Sequence, residues 1–407
     1  MHLDPTLLSL VYTIAVVLTI GLVLQLLKQP QVLGYLLAGI AIGPFGLALF
    51  TDVEVATRLG SYGVVLLLFF VGMEVAPKQL AAGWRIAVIG TLAQVAMSVA
   101  IVVPIGLWLD WTIERTVLLG FVISLSSTAV IIKLLSDSGE IKVKIGQDVL
   151  SILLVQDLVI IPMLIVIGLM GGTAPSVETI AIQIIVAIVL LLVLALAIAK
   201  KIPQLPYSKL IRQNHELQVF AALLICMGFS LLTGLAQLST ALGAFVAGIL
   251  VTATRETQWV HKALEPFQVI FIALFFVSIG LLVDLNFIAE RIPQLVALVS
   301  LVLVSNTLLN GAILHLLGYH WRESLYAGAI LAQIGEFAFV LAAVGLNGNL
   351  INEIGYQYTI ATITLSLLLS PFWIRGARKV LGITTLNEIH VPETMITIDP
   401  AANGKTD

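Results

Sequence analysis

Apolar runs of about twenty residues, the length that crosses about 30 Å of hydrocarbon as a helix, recur along this chain from residue 6 to residue 380 and leave it few folds to choose from. Thirteen spans are predicted, at 6–27, 31–50, 58–76, 86–109, 114–135, 146–170, 177–200, 214–235, 239–253, 264–283, 293–317, 323–345 and 355–380. In hydrocarbon every backbone N–H and C=O must find its partner inside the protein, so runs of this kind are helices. With 59% hydrophobic and 11% charged residues, the chain has too few polar side chains to cover a water-facing surface. It is read as an all-α integral membrane protein. The first span lacks a positive n-region and an Ala-x-Ala cleavage site, so it is kept as a helix. The single cysteine, Cys226, excludes an internal disulfide. Nothing in the composition suggests nucleic-acid binding.

Charge tests the count of spans, because cytoplasmic loops retain lysine and arginine. With the N-terminus outside, 17 of the 20 basic residues fall on one side of the membrane, and only Arg58, Arg115 and Arg291 on the other. A miscounted helix in the middle would scramble that bias. The expected topology is therefore N-terminus out and C-terminus cytoplasmic, in a cell (inner) membrane.

Two spans are interrupted by polar residues. The fifth carries Ser124-Leu125-Ser126-Ser127-Thr128, and the twelfth carries Gln333-Ile334-Gly335-Glu336-Phe337. Ser126 and Gly335 are each the thirteenth residue of their span, and the spans lie seven apart, so they run in opposite directions. The pattern predicts an inverted repeat of six helices, a linking seventh and six more. Unwound backbone at mid-membrane is tolerated only where it is buried in protein or lines a cavity, which is transporter architecture. A serine or threonine can instead back-bond to a helix carbonyl. The hydroxyl cluster, matched by Gly-Glu at the same depth in the other half, favours a break.

Asp157 sits within the apolar run Leu154–Pro162, with no basic residue within ten positions. At about 1.5 Å per residue from Gly146 it lies about 16 Å deep. A charged side chain at that depth costs about 2.5–3.5 kcal/mol on insertion scales, so it is an ion-site candidate by default. Pro162 deprives the Leu158 carbonyl of its helical partner, which sets a free oxygen beside the carboxylate. Gln156 adds an amide oxygen, although one residue turns it about 100° away. Ser127 and Thr128 supply hydroxyls from the fifth span. Oxygen-rich ligation with one carboxylate suits a monovalent cation better than a divalent one. The alternative is an acid that pins helices by pairing with a base. Lys133 is far up its helix, and no Lys or Arg lies between Arg291 and Arg322. Glu336 is open to ion binding or to a structural role, neutralising half-helix N-termini or pairing with Lys133, and the structural role is favoured.

The runs Gly34-Tyr35-Leu36-Leu37-Ala38-Gly39-Ile40-Ala41-Ile42-Gly43-Pro44, Phe69-Phe70-Val71-Gly72-Met73-Glu74, Ser126-Ser127-Thr128-Ala129, Gln156-Asp157, Gly243-Ala244-Phe245-Val246-Ala247-Gly248, Glu265-Pro266-Phe267, Phe275-Phe276-Val277-Ser278-Ile279-Gly280 and Gly335-Glu336-Phe337 resemble the monovalent cation:proton antiporter-2 family. Within it they are most similar to the membrane domain of KefC-type potassium/proton antiporters. The resemblance implies a sodium/proton-antiporter-type fold with two crossed broken helices. Spans four to six (86–170) and eleven to thirteen (293–380) would form a moving core. Residues 1–85 and 171–292 would supply the dimerisation scaffold and linking helix 7, and 381–407 a cytoplasmic polar tail. A homodimer is implied, and Gln156-Asp157 resembles the potassium-handling branch.

Two departures from that pattern matter. Many relatives place on span eleven a lysine that pairs with the ion-binding aspartate, whereas this chain offers Asn306 and Asn310. One carboxylate must then alternate between proton and cation, which predicts electroneutral one-for-one exchange of K+, or else Na+, for H+. KefC-type proteins continue into a nucleotide-binding regulatory domain, and no Gly-rich strand-turn-helix fingerprint occurs in 383–407. Regulation by a separate subunit, or a chain cut at the linker, is expected. No covalent cofactor, catalytic nucleophile or metal motif points to an enzyme. A proton-independent cation channel on this fold and an ion-binding membrane sensor or scaffold are the competing readings.

Overall fold

The computed structural model describes residues 5–27, 29–50, 53–74, 85–140, 143–171, 213–236, 240–253 and 257–383, with isolated positions between 182 and 211. Most of the seventh predicted span and the polar tail beyond Ile383 lie outside the described residues. Among those described, all regular structure is helical. In chain order the helices are α1 (Pro5–Leu26), α2 (Gln31–Ile42), α3 (Val53–Glu74), α4 (Gly90–Trp108, entered by a π-helical turn at Arg85–Ile89), α5 (Ile113–Ser124), α6 (Thr128–Asp137), α7 (Lys144–Met170), α8 (His215–Leu235), α9 (Thr240–Ala253), α10 (Thr257–Leu282), α11 (Leu285–Glu290), α12 (Ile292–Leu316), α13 (Trp321–Ile330), α14 (Phe337–Asn347) and α15 (Glu353–Leu381).

Six of the described helices are long and apolar enough to cross a membrane, and α2 and α14 are among the shorter apolar ones. Several helix starts carry side-chain caps. Asn214 accepts from the N–H groups of Glu216 and Leu217, and Asn352 accepts from that of Gly355. At the other end, Gly382 closes α15 in the left-handed conformation, φ 64°. The second span departs from expectation, being helical only to Ile42 rather than to 50. Pro44 is the reason, since the residue before a proline is driven out of the helical region. Gly43 accordingly adopts φ −67°, ψ 172°.

The outward faces are apolar. Phe220 and Leu224 on α8 are 71% and 73% exposed, which suits contact with lipid rather than water.

Helices α2, α3, α8, α9 and α10 pack chiefly on one another, while α4, α5, α7 and α12 to α15 make a second set of contacts. The first group is held by glycines in close apposition. A Cβ on Gly39 would lie 2.2 Å from the Val277 carbonyl, and one on Gly280 would lie 2.3 Å from that of Leu36. The same contact recurs between α3 and α9, where a Cβ on Gly72 would meet the Phe245 carbonyl at 2.3 Å and one on Gly248 that of Phe69 at 2.1 Å. Lipid tails give no hydrophobic drive between helices, so such close backbone approach supplies the van der Waals attraction instead.

The two predicted interruptions are real. The fifth span divides into α5 and α6 around Leu125, which is extended at φ −91°, ψ 129°. The twelfth divides into α13 and α14 across residues 331–336.

Candidate functional site

The breaks meet each other. Gly335 donates its backbone N–H to the Leu125 carbonyl at 2.7 Å, and the Ser126 hydroxyl donates to the Leu331 carbonyl at 2.7 Å. Where helices unwind, carbonyls and N–H groups lose their i→i+4 partners and must be satisfied elsewhere if buried. Here each break satisfies part of the other. A glycine is required at 335, because a Cβ there would stand 2.4 Å from the Ser126 carbonyl oxygen.

Asp157 lies at the midpoint of the 27-residue α7 and is 4% exposed. The Thr128 hydroxyl, on the first residue of half-helix α6, lies 3.0 Å from Asp157 Oδ2 and 3.3 Å from Oδ1. The break therefore brings a hydroxyl to the buried carboxyl. Five residues beyond Asp157, Pro162 sits inside α7 and leaves the Leu158 carbonyl without an i+4 donor.

The other predicted residues divide by role. The Ser127 hydroxyl is buried and accepts from the Val130 N–H at 3.4 Å, capping α6. Gln156 Oε1 accepts from the Ser126 N–H at 3.0 Å, and its Nε2 donates to Gln94 Oε1 at 2.6 Å. Asn306, 2% exposed, donates through Nδ2 to the carbonyls of Ile123 at 2.9 Å and Ala332 at 3.0 Å. The Ile123 carbonyl belongs to the last turn of α5, where the partial negative charge of that half-helix gathers, and the Ala332 carbonyl lies two residues past the end of α13. Glu336, 6% exposed, occupies the N-cap position of α14 without a side-chain cap hydrogen bond. Gln333, fully buried in the unwound segment, makes no amide hydrogen bond among the described residues. The side chain of Lys133 lies outside the described residues, so its expected pairing with Glu336 is not described.

Gln94 was not among the residues singled out from the sequence. Its signal there is spacing: Thr91, Gln94 and Ser98 recur at helical intervals in an otherwise apolar span, and all three are buried.

A second polar cluster ties helix ends together. Glu140, 4% exposed, accepts from the Tyr326 hydroxyl at 3.1 Å and pairs with Arg378 at 3.1 Å. Asp148, 2% exposed, pairs with Lys144 at 2.8 Å and accepts from the Tyr319 hydroxyl. Burial first, then the hydrogen bond and charge of Asp148 and the charge of Glu323, push the Tyr319 phenol's pKa up and keep it a donor. Each carboxylate thus joins the α6–α7 region to the α12–α15 region.

Two broken helices that meet in the interior beside a buried carboxyl are an architecture of secondary transporters. Residues 12–377 match the family model described as the transmembrane sodium/hydrogen exchanger, and the chain belongs to that family. Among curated relatives, the iron transporter MagA of Paramagnetospirillum magneticum is 32% identical over 91% of this chain and 85% of its own length. K(+) efflux antiporter 5 of Arabidopsis thaliana is 31% identical over 86% of this chain, which spans 63% of that protein. Among solved structures, the sodium proton antiporter MjNhaP1 from Methanocaldococcus jannaschii at pH 8 superposes with a TM-score of 0.66 at 19% identity, over 93% of this chain and 100% of that one. That likeness is one of fold.

Proposed function

We propose that the chain exchanges a monovalent cation, potassium first and sodium next, for protons at a single carboxyl, Asp157, one for one and without net charge. The observation that carries this reading is the placement of Asp157 at mid-helix, buried, with the Thr128 hydroxyl of the break on its oxygens. A bare buried carboxylate is costly, and either a proton or a cation on its oxygens removes that cost. Proton and cation therefore exclude each other, and exchange results when the empty charged site does not cross.

The closer packing of α1 to α3 and α8 to α10 on one another than on the other described helices supports a core, 86–170 and 293–380, that moves against a scaffold. The twice-repeated glycine contact supports an inverted repeat. Electroneutrality draws support from Asn306, which spans the two half-helix ends as a neutral amide. A homodimer in the cell inner membrane, N-terminus out and C-terminus in, with a nucleotide-binding domain or subunit as regulator, belongs to the same reading. So does the absence of enzymatic activity.

The name of the MagA relative raises a second reading, iron as cargo. One carboxylate with hydroxyl and carbonyl oxygens is a weakly charged oxygen site, which favours a monovalent ion over ferrous iron.

The test is ion-driven proton flux in proteoliposomes carrying a pH-sensitive dye, with K+, Na+ and Fe2+ arms. Expected are proton fluxes with K+ exceeding Na+, none with Fe2+, and none in Asp157→Asn. Cation flux without proton flux would instead make the protein a channel, and cation binding without flux a sensor. Full pH-coupled flux in Asp157→Asn would sink the assignment.

A further inference from the structure

Helix α4 presents three polar residues inward. Thr91, Gln94 and Ser98 are 0%, 1% and 0% exposed, whereas Leu92 and Met97 on its other faces are 55% and 41% exposed. Thr91 donates to the Ile152 carbonyl on α7 at 3.3 Å, which fixes this stripe against that helix. One turn along α7, Gln156 meets Gln94.

An amide side chain has two unlike ends: its oxygen accepts hydrogen bonds and binds cations, and its NH2 group only donates. The Ser126 N–H, which can only donate, takes Gln156 Oε1 at 3.0 Å. That leaves Gln156 Nε2 to be held by an acceptor, and the acceptor is Gln94 Oε1 at 2.6 Å. With both ends engaged, the Gln156 amide has one orientation, and the segment Leu125–Ser127 is fastened to α7 beside Asp157. Thr128 follows that segment directly, and its hydroxyl lies against the carboxyl. Gln94 Nε2 has no hydrogen-bond partner among the described residues, so the contact to Gln156 is the polar anchorage described for this side chain.

We infer that Gln94 is a positioning residue of the cation site: by holding Gln156 Nε2 it fixes the amide that pins the first break, and so sets cation affinity and the preference between K+ and Na+. The inference rests on the exchange reading given above. It moves part of the selectivity onto α4, acting through Gln156.

The test uses Gln94→Met, which keeps length and removes the acceptor, and Gln94→Glu, which keeps an acceptor oxygen for Gln156. Both are measured in proteoliposomes as apparent KM and maximal rate, with K+ and with Na+. Gln94→Met is expected to raise the apparent KM for K+ about tenfold, the factor given by one hydrogen bond at the upper end of its net range. Its K+/Na+ preference should move toward unity with the maximal rate little changed, and Gln94→Glu should restore the KM. Should Gln94→Met fail to assemble, Gln94→Asn, too short to reach Gln156, is read in the same way. Wild-type KM and ion preference in the assembled variant would overturn the inference, as would a loss of maximal rate alone, the mark of a merely structural residue. A wild-type protein without cation-driven proton flux would overturn the exchange reading itself, and the inference with it.

Discussion

Gly335 and Leu125 are 210 residues apart in sequence, yet the N–H of one lies 2.7 Å from the carbonyl of the other, so the two broken helices are joined through their backbones. The contact depends on the missing side chain. Gly335→Ala would place a methyl 2.4 Å from the Ser126 oxygen and 2.9 Å from the Ser127 nitrogen. Overpacking of this kind costs about 1–3 kcal/mol, and here it falls on the segment that holds Thr128 against Asp157. The expected result is a lowered melting temperature and loss of exchange. Gly376→Ala is the control, since nothing lies within 4 Å of a Cβ there; equal damage from both substitutions would show that the crossing is not special.

Competition at Asp157 has a pH signature. Where the protonated carboxyl predominates, each fall of one pH unit should raise the apparent KM for the cation about tenfold, the factor of one proton exchanged per cation. At saturating cation the maximal rate should change far less. Initial rates over a grid of pH and cation concentration in proteoliposomes give both quantities. A KM independent of pH throughout the active range would mean that the two ions do not share the site.

The parts legible in the sequence are those that lipid dictates. A bilayer requires long uninterrupted apolar helices, so the eleventh span, expected at 293–317, is found as Ile292–Leu316. It tolerates unwinding only in the protein interior, so the hydroxyl cluster at 124–128 and Gly-Glu at 335–336 mark the breaks correctly. What the sequence left hidden depends on which helix faces meet. Asn306 bonds two backbone carbonyls, 183 and 26 residues away, and a carbonyl carries no residue signature. Gln94 is visible as part of a polar stripe, but only packing against α7 reveals that its partner is Gln156. Ser127, a candidate ligand by position, also accepts from the Val130 N–H at the start of α6, a contact its position in the sequence does not show.

Asn306 offers a test of charge balance. Asn306→Leu would leave the Ile123 and Ala332 carbonyls without their donor, at about 1–3 kcal/mol for each buried group, and should lower the melting temperature and exchange together. Asn306→Lys supplies a charged donor in the same place and adds a cation beside the two half-helix ends. Electrical recording from proteoliposomes should find no sustained charge movement in the wild type and a measurable current in Asn306→Lys. Sustained current in the wild type would refute one-for-one exchange.

The cluster of Glu140, Tyr326 and Arg378 predicts where stability rather than ion affinity resides. Glu140 is 4% exposed and relies on the Tyr326 hydroxyl and the Arg378 guanidinium. Arg378 also donates from Nε to the Ile383 carbonyl at 3.2 Å, so the end of α15 is fastened to the loop after α6. Arg378→Ala leaves a buried carboxylate short of its cation. Because the guanidinium is partly exposed, the loss is expected to be about 1–3 kcal/mol rather than the larger value for a fully buried pair. Glu140→Gln keeps the hydrogen bond from Tyr326 and removes the charge, so the double variant should be more stable than Arg378→Ala alone. Melting temperatures of the four proteins form the cycle that measures this coupling. Additive losses would mean that the ion pair contributes nothing, whereas a positive coupling with unchanged cation KM would assign the cluster to holding the helix ends together.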